Sequence, residues 1–467
     1  MTVLPEADGS RRAVAASGRR VLISVATLGG ATVLVKLVAV IKDLLVARQL
    51  GAGDELDAYL VALVLPSYGV AILGHSFAMA FVPTYLRVER EDSPATARKL
   101  AGAALLVGTL VLLGVAMLLA AIAPFALSII GSSFDPAKLA LSVRLFYILL
   151  AVLVLGGLIS ILAAVLNAHE CFRLTALAPL ATAATTVVVF ATFQEQWGVY
   201  ALAAGLTLGF TLECAILAWG IARRGFISWP TSGDLDRRLP HIGRQYLSVA
   251  TGTFLMSSSG IVDQSMAASL GSGTVSVLDY GSKIVAFLLS IGAFSLGTVL
   301  LPQFSRLIGA YQWANLRKMF RGYVNLVFAV AVPGVALLVL VSEPLIRLLF
   351  ERGAFTSEVT QSVSQVQMRL ALQIPFYVVT IIGSRVLSAL DCNHVVLRIG
   401  GLGLALNVAG NYLLMHRYGV NGIAIATSVS YLVTMLVTLT AVRTRIREAE
   451  GELGGGGQFA SEETPNR

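Results

Sequence analysis

Lys36, Lys42 and Asp43 stand inside an apolar run that extends from Val21 to Val46. That run is long enough to cross a bilayer, which takes about 20 apolar residues. An ionised side chain at membrane depth is costly, so it normally faces a polar cavity and serves a function. Lys36 and Asp43 are spaced to share one helix face, with Lys42 beside Asp43. Asp57, Lys283 and Arg385 mark other long apolar runs in the same way. Fixed cations in a membrane interior imply an anionic cargo, and an Asp among them limits the charge of the empty site. Plainer readings stand beside this one. Lys42 and Asp43 would then snorkel or pair at the outer end of their span. Asp57, which follows a Gly-rich turn, would cap the second helix. Lys283 would sit a turn or two below the external surface, and Arg385 would reach the cytoplasmic edge.

Composition sets the class. The chain is 56% hydrophobic and 13% charged, with a mean hydropathy of +0.80, whereas a soluble domain carries about 25% charged residues. The net charge of +8 does not point to nucleic acid, because the basic residues fall in short connections between apolar runs and set membrane orientation there. Cys171, Cys214 and Cys392 are isolated and lack CxxC spacing, so neither a disulfide framework nor a metal site is implied. No cofactor is implied either.

Hydropathy predicts about twelve spans, near 21–46, 56–85, 98–130, 139–167, 173–194, 198–222, 243–270, 275–305, 319–350, 365–391, 395–416 and 420–443. Residues 1–20 read as a disordered polar N-terminus, with a run behind them too long for a signal peptide. Residues 448–467, with Gly454 to Gly457, read as a disordered tail. The connections alternate in charge. One set holds Arg19 and Arg20, Arg98 and Lys99, Arg223 and Arg224, Arg317 and Lys318, and Arg443, Arg445 and Arg447. The other offers little beyond Arg48, Lys138, Arg352 and Arg417. The positive-inside bias places both termini in the cytoplasm.

The two halves repeat at an offset of about 220 residues. Gly51-Ala52-Gly53, followed by Asp57 and Tyr59, matches Gly271-Ser272-Gly273, followed by Asp279 and Tyr280. Val82-Pro83 matches Leu301-Pro302, Asn167 with Cys171 matches Ser388 with Cys392, and Trp197-Gly198-Val199 matches Tyr418-Gly419-Val420. The predicted architecture is an all-α polytopic membrane protein. It has an N-lobe over 21–222, a cytoplasmic linker over 223–242 and a C-lobe over 243–447. Six spans per half is an even number, so the halves are parallel repeats about an axis along the membrane normal, with cargo bound between them.

Ala47-Arg48-Gln49-Leu50-Gly51-Ala52-Gly53, Leu56-Asp57-Ala58-Tyr59 and Ala80-Phe81-Val82-Pro83 resemble the MurJ/MviN family of lipid-linked oligosaccharide flippases. So do Gly297-Thr298-Val299-Leu300-Leu301-Pro302 and Phe350-Glu351-Arg352-Gly353-Ala354-Phe355-Thr356. The resemblance runs from near Val21 to near Arg443. It implies two six-helix bundles around a central cationic cavity, with two further C-terminal helices in many members. It also implies that the family's first-span basic positions fall on Lys36 and Lys42, its acidic neighbour on Asp43, its second-span acid on Asp57 and its eighth-span base on Lys283. Arg385 joins them as a second-half cation. The family's usual arginines are lysines here. Its second-span basic pair is missing from Leu65-Pro66-Ser67-Tyr68-Gly69-Val70-Ala71.

The expected function is a flippase, acting as a monomer in the bacterial inner membrane. Its cargo is a polyprenyl-diphosphate-linked saccharide, either a lipid II-like peptidoglycan precursor or an exopolysaccharide unit. A drug/cation antiporter would want a carboxylate-dominated cavity. A membrane enzyme would want positioned acid and base groups on an external segment, where the connections here are short. Glu213 and Asp263 are lone intramembrane carboxylates that could bind a proton or cation. His75 reads as a hydrogen-bonded structural residue.

Overall fold

The structure, a computed structural model, describes residues 30–229 and 239–459. The expected N-terminus 1–20, the start of the first span and residues 230–238 of the linker lie outside the described residues, as do 460–467. Twelve long helices follow one another among the described residues. α1 covers 30–50. α2 is Asp54–Glu91, α3 Pro94–Ile130, α4 Pro136–Ala168, α5 Phe172–Trp197 and α6 Val199–Arg224. α7 is Leu239–Ala268, α8 Thr274–Gly309, α9 Trp313–Phe350, α10 Ser357–Ala389, α11 Asn393–Tyr418 and α12 Val420–Phe459.

Local signals start these helices. Pro94 and Pro136 occupy first positions of α3 and α4, where a missing N–H costs nothing. The Ser93 hydroxyl accepts from the Thr96 N–H at 3.1 Å, and the Thr356 hydroxyl from the Val359 N–H at 3.4 Å, as N-caps do. α2 contains Pro66 and then a π-helical turn over Ala71–His75. Such turns mark a break in the regular hydrogen-bond ladder.

α2, α3, α4, α5, α6, α9, α10 and α12 are long and apolar enough to cross a membrane. The other four are α1, α7, α8 and α11, and they carry Lys36, Lys42, Asp43, Asp263, Lys283, Asn407 and Asn411. The chain is a multi-pass membrane protein, and buried polar groups also lie on the apolar spans, among them Asp57 on α2, Lys138 on α4 and Glu213 on α6.

The repeat is visible in backbone geometry. Gly198, between α5 and α6, has φ 54 and ψ −133; Gly419, between α11 and α12, has φ 56 and ψ −140. Glu170 and Asp391 both take the left-handed conformation, at φ 58 and φ 57. The residue after each closes the same turn, Cys171 N–H onto Leu166 O at 2.9 Å and Cys392 N–H onto Leu387 O at 2.8 Å. A side chain in the left-handed region is uncommon, so its recurrence in step is strong evidence of one ancestral unit.

The chain divides into two compact units whose boundary is not the repeat boundary. One comprises Met1–Val46, Leu65–Pro124 and Val143–Ala250; the other comprises Ala47–Val64, Phe125–Ser142 and Thr251–Arg467. The first has a core around Phe81, Tyr85, Leu162 and Leu217. The second has one around Phe304, Phe320, Val379 and Val386. Two expected boundaries move. α7 begins at Leu239, inside the expected linker. α12 continues beyond Arg447, and Glu450 on that continuation pairs with Arg317.

Candidate functional site

The densest polar constellation lies within the second unit and joins first-repeat segments to second-repeat ones. Asp57, on the first turn of α2, is fully buried. Its Oδ2 accepts from the Gly273 N–H at 2.7 Å and from Lys138 Nζ at 2.9 Å. Its Oδ1 accepts from the Ser276 N–H at 2.8 Å and the Ser276 hydroxyl at 2.6 Å. Asp57 therefore caps a helix, but that helix is α8 rather than its own. A carboxylate there satisfies orphan N–H groups and complements the helix dipole. Lys138 also donates to Asp54 at 2.6 Å and lies 4.1 Å from the centre of the Phe134 ring. Sequence reasoning read Lys138 only as a stray connection charge; its place two residues after Pro136, at the mouth of an apolar helix, was the available signal.

Backbone packs on backbone beside this network. The Ala354 N–H donates to Arg48 O at 2.8 Å. Gly353, at φ 63, would drive a Cβ into that same carbonyl, and Gly51, at φ 59, would drive one into Ala354 O. Only glycine allows both the conformation and the approach. Tyr280, Phe350 and Phe355 pack around this seam, with ring centres 5.3 to 5.7 Å apart. The Gly-rich motifs of the two repeats and the Phe350–Thr356 stretch are thus the two sides of one close junction.

The expected cargo cations have a different character. In the first unit, Lys36 is exposed and has no ion pair among the described residues. Lys42 pairs with Asp43 at 3.2 Å, both side chains partly exposed. In the second unit, Lys283 pairs with Asp279, one helical turn earlier, at 2.9 Å. Arg385 is half-buried on α10, and its Nε is buried without a hydrogen-bond partner among the described residues.

The two lone carboxylates have dissimilar surroundings. Asp263 on α7 accepts from Asn407 Nδ2 at 3.1 Å and Asn411 Nδ2 at 2.6 Å, both on α11, and from the Thr427 hydroxyl on α12 at 3.2 Å. The Asn411 carbonyl oxygen is buried with no partner among the described residues. This is a polar cluster with one negative charge, in which two amide N–H groups and one hydroxyl satisfy the carboxylate; such intramembrane carboxylates are candidate proton or cation sites. Asn407, Asn411 and Thr427 went unnoticed in the sequence, although two Asn four residues apart on an apolar helix was a usable signal. Glu213 on α6 is buried and accepts from the Thr182 hydroxyl of α5 at 2.5 Å. Among the described residues no group of three or more His, Cys, Asp or Glu gathers for a metal.

A two-repeat helical membrane protein with ionisable groups on its membrane helices fits the class of alternating-access transporters. Solved structures agree on the fold. The lipid II flippase MurJ in an inward closed conformation superposes with a TM-score of 0.77 at 22% identity, covering 94% of this chain and 93% of that one. An inward-facing multidrug resistance MATE family transporter gives 0.76 at 15% identity, covering 90% and 96%. The family described as "Lipid II flippase MurJ" matches residues 46–453, and the chain belongs to it. Among its relatives, the probable lipid II flippase MurJ of Rhizobium meliloti is 26% identical over 428 residues, covering 88% of this chain and 78% of that protein. The one from Synechocystis sp. is 26% identical over 444 residues, covering 91% and 81%.

Proposed function

We propose that this chain is a flippase that moves a polyprenyl-diphosphate-linked saccharide from the cytoplasmic to the outer leaflet of the bacterial inner membrane by alternating access. The observation that carries the reading is family membership across residues 46–453 together with an uncompensated cation, Lys36, on a membrane helix. A diphosphate is a compact polyanion, and Lys ammonium groups meet it as mobile point charges rather than as the planar forks of Arg. Lys36, Lys42 and Lys283 are its proposed ligands, and Arg385 is a further one. Asp43 keeps the site tolerable when empty. Asp57 contributes indirectly, by holding the start of α8, the helix that carries Lys283. Both termini are cytoplasmic, and the chain works as a monomer. The Asp263 cluster is the proposed coupling site, taking up a proton or monovalent cation as the seam opens and closes.

The cargo is either a lipid II-like precursor or an exopolysaccharide unit; Lys at the cationic positions and the absent second-span pair keep the latter in view. A drug/cation antiporter of similar fold is the alternative, and exposed lysines are poor ligands for a cationic drug.

The test is depletion of the protein followed by identification of the lipid-linked sugar that accumulates on the cytoplasmic leaflet. Complementation with Lys36→Ala or Lys283→Ala, at normal membrane levels, should fail; Arg at either position should rescue better than Gln. Wild-type transport by both Ala variants would refute the cationic-site mechanism.

A further inference from the structure

A second cationic site lies apart from the residues above. Near the start of α9 and in the second half of α12 the structure forms a groove of about 670 Å³ lined by Arg317, Arg321, Arg443 and Arg447, with Glu450 at its edge. Each arginine pair is spaced four residues apart on its helix, so both point from one face. Glu450 is occupied by Arg317 alone, through two bonds of 2.5 and 3.2 Å. Arg321, Arg443 and Arg447 are exposed and have no hydrogen bond or ion pair among the described residues. Phe320, Val442 and Ile446 form an apolar floor and are buried.

Orientation alone requires only that arginines be present in a connection. It requires neither a concave site nor an apolar floor, nor the convergence of four guanidiniums from two helices that are far apart in sequence. Brought together in one groove, like charges repel unless an anion is shared. Arg321 and Arg443 stand where the apolar stretches of α9 and α12 give way to charged residues, which is where lipid headgroups are expected. Basic pockets between membrane helices at that depth recognise phosphorylated headgroups.

We propose that this groove binds an anionic phospholipid, with the headgroup phosphate held by Arg321, Arg443 and Arg447 and an acyl chain resting on the floor. Arg317, tethered by Glu450, fixes the position of the site. Charge complementarity selects the occupant: guanidiniums grip phosphate oxygens in bidentate geometry, and a zwitterionic headgroup brings its own cation into a site that already holds an excess of them. This inference does not rest on the cargo assignment.

The experiment is native mass spectrometry of the full chain in neutral detergent, titrated with phosphatidylglycerol or phosphatidylcholine. The wild type should retain phosphatidylglycerol in preference. The combined Arg321→Gln, Arg443→Gln and Arg447→Gln variant should lose about tenfold or more of that preference while keeping its thermal midpoint. Lys replacements at the three positions should retain part of it. Lys36→Gln should leave the preference intact, which separates this site from the cargo site. Equal retention of both lipids by the wild type would overturn the proposal, as would an unchanged preference in the triple Gln variant. Displacement of phosphatidylglycerol by equimolar undecaprenyl phosphate in the wild type would reassign the groove to the lipid-linked cargo and overturn it equally.

Discussion

Asp57 and Asp279 follow the Gly-rich turns of the two repeats, yet they have opposite fates. Asp57 is fully buried and accepts four hydrogen bonds, one from Lys138 and three from the start of the second repeat's α8. Asp279 stays on its own helix, about a quarter exposed, paired with Lys283 one turn on. The glycines recur in step, but the acid stands four residues after Gly53 and six after Gly273, so one carboxylate faces a fixed junction and the other pairs on its own helix. Buried charge networks are expensive to break, because each partner left behind is desolvated and unpaired. Partly exposed pairs within one helix turn are worth little and exchange readily. A transporter needs both: a junction that holds one end shut, and a cation that can leave its partner for the cargo.

The largest effect is expected from Asp57→Ala. It strips the α8 N-terminus of its cap and leaves Lys138 buried with Asp54 alone, a loss of about 3–5 kcal/mol. Thermal unfolding in detergent should show it. Asp57→Asn should recover only part, because a carboxamide cannot accept from Lys138 and the helix N-terminus with a full charge. If both variants unfold within a degree of the wild type, the junction is not the stabilising element described here.

A smaller loss is expected at the backbone contact. Gly353 and Gly225 have nearly the same φ, +63 and +64, but a Cβ on Gly353 meets Arg48 while one on Gly225 meets open space. Gly225→Ala should cost only the left-handed conformation, about 1–2 kcal/mol. Gly353→Ala should cost that and also disturb the Ala354–Arg48 hydrogen bond. Its excess over Gly225→Ala measures the seam itself. Equal losses would mean that the two sides of the junction are free to separate.

How far the sequence revealed this arrangement depended on the distance between partners. The repeat was legible because its signals are local: Trp197-Gly198-Val199 and Tyr418-Gly419-Val420 carry the same turn, and the structure gives both glycines the same backbone angles. The Gly-rich motifs and the Phe350–Thr356 stretch were legible as special, though not as two faces of one contact. Lys138 was invisible as a partner of Asp57, 81 residues away. Asn407, Asn411 and Thr427 were invisible as partners of Asp263 for the same reason. Periodicity reports burial against the rest of the chain, never which residue supplies the counter-charge. The contact that Glu450 makes on the continuation of α12 was equally hidden, since its partner Arg317 lies 133 residues earlier.

Asp263→Asn should leave the protein folded, because a carboxamide can still hydrogen-bond Asn407, Asn411 and Thr427. It should nevertheless make transport insensitive to whichever of sodium or pH drives the wild type. Assay of lipid-linked sugar flipping in vesicles under imposed sodium and proton gradients separates the two ions. If the variant keeps the gradient dependence of the wild type, the coupling ion binds elsewhere, and Glu213, buried against Thr182 in the first repeat, becomes the group to test.

The smallest energy, and the sharpest test of the comparison, belongs to Asp279 and Lys283. Single and double Ala replacements define a cycle whose coupling term should be about 0–1 kcal/mol, as for other partly exposed pairs within one turn. Transport should respond quite differently. Lys283→Ala removes a proposed cargo ligand and should abolish it. Asp279→Ala removes the carboxylate that pairs with Lys283 and should change cargo affinity rather than stability. The two acids would then be separated by function: Asp57 matters to the fold far more than Asp279, while Asp279 matters through the cation it pairs with. A coupling energy of about 3 kcal/mol or more would place the pair with the buried networks. Lys283 would then be a structural counter-ion like Lys138, and the cargo diphosphate would have to be held by the first-repeat lysines and Arg385.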